Sequence, residues 1–155
     1  MQEELDTYHE QLAKTYLDHV RDCSTRIQLI NEEIVQLKNQ LTLSGVNYSE
    51  HVSGGSVHKD AIPDGVARMF ELIEEYTTQS VEYLEEQRTM HEVLMRLDTL
   101  EARVVKERWL DGKQWIQIAH SIGYSFPGVM VARRRALRHV YEVMPNEYKR
   151  IEEAV

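Results

Sequence analysis

Residues 123–135 read GYSFPGVMVARRR, and the fold turns on how this stretch is read. Gly123 suits a tight turn, because a residue without Cβ adopts positive φ at little cost. Ser125 is a candidate helix cap, and Pro127 falls in the first turn of the helix it opens, where a missing N–H costs nothing. That helix runs from Phe126 to about Met144 and is stopped by Pro145. Before the turn, Trp115, Ile118, Ala119 and Ile122 recur on one face of a short helix beginning at Gln114. Two helices meeting across a glycine turn form the frame of a helix-turn-helix. The second helix departs from the usual DNA reader, however. Phe126, Pro127, Gly128, Met130 and Val131 stand where polar base-contacting side chains are customary, and the arginines come late.

Working outward, Asp98 is the next cap upstream. It opens a helix through Arg103, Val104, Val105, Arg108 and Trp109 that ends at the turn Asp111-Gly112. Still further upstream, Leu5, Tyr8, Leu12, Tyr16, His19, Cys23, Ile27, Ile30, Ile34, Leu37 and Leu41 follow one another at steps of three and four, with no Gly or Pro between them. This rhythm predicts one long amphipathic helix. A second long helix, capped by Asp64, carries Val66, Phe70, Ile73, Thr77, Ser80, Leu84, Gln87, His91 and Leu94 in the same rhythm. The loop between them, 43–63, holds three Gly, four Ser and a Pro, and its length marks it as mobile or functional.

The expectation is an all-α chain. Residues 1–95 form a long antiparallel helical hairpin, coiled-coil-like, and 96–155 form a helix-turn-helix DNA-binding domain. A lone hairpin leaves apolar surface over, which either the C-terminal helices or a second copy, in a homodimer, must cover.

Composition fits this. The chain has 155 residues, 42% hydrophobic and 28% charged, with only 7 Gly and 3 Pro, the profile of a helix-rich globular protein. No apolar run approaches the ~18 residues of a membrane helix, and MQEELDTYHE lacks the basic start and apolar core of a signal peptide. With a single cysteine, Cys23, no internal disulfide forms, and a reducing cytoplasm is expected. Net charge is −8, but it is segregated: residues 101–150 hold 10 Lys/Arg against 5 Asp/Glu, a balance of +5 that leaves −13 on the rest. Any phosphate contact is thereby confined to the C-terminal third, because the acidic remainder repels nucleic acid.

The run LDTLEARVVKERWLDGKQWIQIAHSIGYSFPGVMVARRRAL, beginning at Leu97, resembles region 4 of the sigma-70 factors. It is closer still to the sigma-like phage regulators of the RinA/ArpU type from Gram-positive hosts. The positions that carry the likeness are Arg108, Trp109, Leu110, Gly112, Trp115, Ile118, Ala119, Gly123, Tyr124, Ser125, Val129, Ala136 and Leu137. The resemblance implies a sigma-region-4-like helix-turn-helix acting on double-stranded DNA in a bacterial host cell, with RNA polymerase as a further partner. An activator of late or packaging genes is the function it suggests. Those relatives place polar or basic residues at the positions of Phe126, Gly128 and Met130, so the base-reading surface here differs from theirs.

At ~100° per residue, Val129, Ala132, Ala136 and Val140 face the core. Pro127, Val131, Arg134 and Arg138 collect on the opposite side, flanked by Gly128, Met130 and Arg135. Arg133 turns towards the packed side, where Glu101 or Glu107 would pair with it. The first half of such a helix meets base edges and the later half nears the backbone. The expected DNA-contacting set is therefore Ser125, Phe126, Pro127, Gly128, Met130 and Val131 for bases, and Arg134, Arg135, Arg138 and Lys113 for phosphates, with Lys149 and Arg150 as further cations. Ser125 is the one polar group at the mouth, and capping competes for its hydroxyl. Trp109, Trp115 and Cys23 read as core.

Two other uses fit the same pattern. One is a packaging or assembly factor resembling a small terminase, and the other is a helix-turn-helix that grips a protein through Phe126 and Met130. The histidines form no pair at metal-ligand spacing, so His51 and His58 in the loop are a weak zinc signal. Glu74/Glu75 and Glu85/Glu86 read as a solvated face, and SGG lacks the lysine of a phosphate loop. No catalytic set, metal site or cofactor is expected, and the chain reads as a non-enzyme.

Overall fold

The computed structural model describes residues 1–43, 45 and 64–149. Every regular element among them is helical. Helix α1 spans Gln2–Leu43 and α2 spans Asp64–Met95. Three shorter helices follow: α3 (Thr99–Val105), α4 (Trp115–Ile122) and α5 (Phe126–Val143). A π-helical turn, Lys106–Leu110, extends α3, and a 3₁₀ turn, Asn146–Lys149, follows α5. Loop 43–63, with His51 and His58, lies outside the described residues apart from Leu43 and Gly45, as does Arg150. No described helix is long and apolar enough to cross a membrane.

The chain divides into two compact units, Thr25–Leu84 and a second made of Met1–Ser24 with everything from Glu85 onward. In the first, Leu37 and Leu41 of α1 are buried against Val66 and Ile73 of α2, with Ile34, Met69, Phe70 and Tyr76 packed around them. The four buried residues are stripe positions, so the helical rhythm of the sequence is used as core here. Asp64, expected as the cap before α2, is its first helical residue, where a carboxylate still complements the helix dipole.

In the other unit the main core joins residues far apart in the chain. Leu12, Ala13, Tyr16, Leu17 and Val20 of α1 are buried with Met90, Val93 and Leu94 of α2, Val105, Trp109, and Ala136, Leu137, Val140 and Met144 at the end of α5. The C-terminal helices therefore cover the start of α1. At about 1.5–3 kcal/mol for each large apolar side chain fully buried, Leu17, Leu137 and Val140, all at 0–1% exposure, make this the chief stabilising contact of the unit. His19, counted on the α1 stripe from sequence, is exposed, and Ala13, Leu17 and Val20 take the buried positions around it. A wider apolar face is needed because α1 is packed by two helices and not one.

A smaller core sits beside it. Val104 of α3, Ile118 and Ala119 of α4, and Val129 and Ala132 of α5 are buried together, with Leu100, Trp115, Ile122 and Met130 partly buried around them. Two local devices build this trio. Asp98 caps α3, its Oδ1 accepting from the Glu101 N–H at 2.8 Å. Gly123, at φ 73°, then turns the chain out of α4, and the Tyr124 N–H donates to the Ala119 carbonyl at 3.0 Å, closing the end of the helix.

Candidate nucleic-acid interface

The π-helical turn is the first element that shapes this region. Its bond from the Asp111 N–H to the Lys106 carbonyl (2.9 Å) widens the backbone by one residue. This lets Glu107 and Trp109 both turn inward. Trp109 is 3% exposed, and its Nε1–H donates to Asp18 Oδ1 of α1 at 2.9 Å. Glu107 is held from three sides: Lys113 Nζ at 2.6 Å, the Ser121 hydroxyl at 2.8 Å and Arg103 Nε at 3.6 Å. Burial pushes the Glu107 carboxyl upward, but the hydrogen bonds from Lys113 and Ser121 outweigh it and hold the group below the ordinary glutamate range.

Glu101 is the second buried carboxylate. His139 hydrogen-bonds one oxygen, and Arg135 Nε lies 3.6 Å from the other. Burial pushes this carboxyl above the ordinary range, neighbouring Asp98 adds to the shift, and His139 opposes it.

Internal partners consume much of the positive charge expected to meet DNA. Lys113 is tied to Glu107. Arg135 bridges Asp98 (3.5 Å) and Glu101, and Arg138 reaches Glu10 (2.9 Å) and Asp6 (3.9 Å) of α1. Lys149 donates to the Glu142 carbonyl at 3.0 Å, with its ammonium 5.1 Å from the Tyr141 ring centre. Arg134 is exposed and has no ion pair among the described residues.

Two further arginines in this region lack a carboxylate partner among the described residues. Arg108 and Arg133 both lie over the indole of Trp115, at 5.2 and 5.6 Å from its ring centre. Arg133 therefore makes neither of the ion pairs expected of it, with Glu101 or Glu107. Those carboxylates are paired with Arg135 and His139, and with Lys113 and Arg103, from other directions, and the half-buried indole face takes the guanidinium instead. Arg108 also donates from Nη1 to the Lys113 carbonyl at 2.9 Å, which fixes its plane. The sequence placed neither residue in the DNA-contacting set: neither lies on the outward face of α5, and nothing local signals that Trp115 gathers them.

The apolar half of α5 is partly available. Ser125 Oγ accepts from the Gly128 N–H at 3.2 Å, so its hydroxyl is engaged as a cap. A Cβ on Gly128 would come within 3.1 Å of that oxygen, so the residue keeps the cap tight. Met130, expected to face outward, is partly buried against the smaller core, because its position follows the Val129 side of the helix. Pro127 is exposed, and Phe126 and Val131 are open to solvent at 51% and 67%. Tyr124 (46%) and Ile116 (65%) are exposed in the same three-helix region, although neither was in the DNA-contacting set expected from sequence. Among the described residues no cluster of His, Cys, Asp and Glu could hold a metal ion. No protein-family model, curated protein or solved structure matches the chain.

Proposed function

We propose that the chain is a DNA-binding transcription regulator of phage or prophage genes, in which α4 and α5 serve as a sigma-region-4-like helix-turn-helix. One observation carries this reading: between Arg103 and Lys149, the cations left without a carboxylate include Arg108, Arg133 and Arg134, all on or beside these two helices. A guanidinium held over an indole and not neutralised is preorganised for a phosphate, whose oxygens match its forked donors. The open side chains of Phe126, Pro127 and Val131 supply apolar contact suited to thymine methyls, without the bidentate donors that read guanine or adenine. Residues 1–95 act as the helical scaffold, through which a homodimer would set the spacing of two reading units. RNA polymerase is the protein partner this reading implies.

The test is binding of the purified chain to duplex DNA from its own genome, titrated between about 50 and 200 mM salt. Tight binding should weaken with salt. An Arg108→Ala/Arg134→Ala variant should lose about 0.9 in log–log slope for each phosphate contact removed. Absence of binding at the lowest salt would reject the proposal. In that event a second reading takes precedence, in which the exposed Ile116, Tyr124, Phe126 and Val131 grip a protein, and those residues become the ones to substitute.

A further inference from the structure

We infer that the first turns of α1 mask the second half of α5, withholding Arg138 from a DNA backbone until the Asp6 and Glu10 carboxylates are displaced. The inference rests on the DNA-binding reading above. Arg138 continues the line of Pro127, Val131 and Arg134 along the exposed side of α5 at helical spacing, so a duplex lying on the first half of the helix brings its phosphates towards that residue. The position is already filled. Arg138 Nε lies 2.9 Å from Glu10 Oε1 and Nη1 lies 3.9 Å from Asp6 Oδ2, and the two carboxylate side chains are only 16% and 28% exposed.

The contact is anchored on both sides. The His9 imidazole stacks on the Tyr141 ring, one turn beyond Arg138, with centres 3.8 Å apart and planes within 11°. Leu12, Ala13, Tyr16 and Leu17 then fix the following turns of α1 in the same core as Leu137 and Val140. Glu3 and Glu4, in the first turn of α1, add like charge against an approaching phosphate. Carboxylate and phosphate compete for one guanidinium, so binding through Arg138 requires this end of α1 to give way. Arg108, Arg133 and Arg134 need no such release.

The experiment compares full-length wild type, Asp6→Asn/Glu10→Gln, Arg138→Gln and the triple combination on one duplex of about 30 base pairs across the same salt range. Neutralising Asp6 and Glu10 should tighten binding by about tenfold and steepen the salt slope by about 0.9, one additional phosphate contact. Both gains should vanish when Arg138 is also Gln. Arg138→Gln alone should leave the slope unchanged, which tests the masking without altering α1. A Glu3→Gln/Glu4→Gln variant, with the same change in net charge, should gain less affinity and no slope.

A wild type that binds while Asp6→Asn/Glu10→Gln binds no tighter overturns the masking and leaves the DNA reading standing. So does a gain that persists without Arg138, or a slope that already falls in Arg138→Gln alone. Failure of every protein to bind duplex at low salt removes the DNA reading and the masking together.

Discussion

Glu107 and Glu101 show how two buried glutamates in one small domain acquire opposite behaviour. Glu107 has Lys113 and Ser121 as donors and is held below its ordinary value. Glu101 is raised by burial and by Asp98, with His139 opposing incompletely. A carboxyl depressed in the folded state stabilises fully above its unfolded pKa, and that contribution is lost as pH falls through the folded one. For a raised carboxyl, stability declines instead as pH climbs from the ordinary value through the raised one. Glu107→Gln should therefore lower the unfolding temperature at about pH 7, and the gap to wild type should close on acidification below about pH 4. Thermal unfolding followed by circular dichroism across that range checks it. Parallel curves would mean that Glu107 is not held low. From sequence these two residues looked only like partners for Arg133, because which cations reach a buried carboxylate depends on neighbouring helices.

At the scale of elements, the joint between α4 and α5 was the most legible part of the chain. Gly123, Ser125 and Pro127 each restrict the backbone locally, and their turn, cap and first-turn positions are seen as expected. Gly123→Ala should cost roughly 1 kcal/mol or somewhat more. An added Cβ would meet nothing within 4 Å, so the whole penalty comes from φ 73°. Urea unfolding should show a lower midpoint with an unchanged slope, and an unaltered midpoint would contradict this account. The π-helical turn at Lys106–Leu110 was not legible. Its wider bond is not a local preference of the sequence KERWL: the turn lets Trp109 reach Asp18 while Glu107 reaches Lys113 and Ser121.

On the scale of the whole molecule, the decisive contact lies between the start of α1 and the end of α5. Ala136, Leu137, Val140 and Met144 share their core with Leu12, Ala13, Tyr16, Leu17 and Val20. A polypeptide restricted to residues 96–149 would expose that face of α5 together with Trp109. It should lack a cooperative thermal transition, whereas the full chain should show one. A sharp transition in the fragment would establish that the smaller core of Val104, Ile118, Ala119, Val129 and Ala132 suffices alone. The charge segregation along the sequence, +5 in residues 101–150 against −13 elsewhere, also changes meaning at this scale. Part of the acidic remainder is folded directly onto the basic third, through Asp6 and Glu10.

The sequence by itself determined an all-helical chain, the caps and turn of its C-terminal helices, and the buried side of α5 at Val129, Ala132, Ala136 and Val140. Each of these follows from interactions within a few residues: helical periodicity, a missing Cβ, or a hydroxyl that reaches the third N–H along. Only the tertiary structure decided which arginines are neutralised. Arg135 meets Asp98 across 37 residues of chain and Arg138 meets Glu10 across 128, while Arg108 and Arg133 converge on Trp115. Periodicity tells which way a side chain points, but not which charges wait there. Long-range packing sets the partner, and with it which cations remain to hold a phosphate.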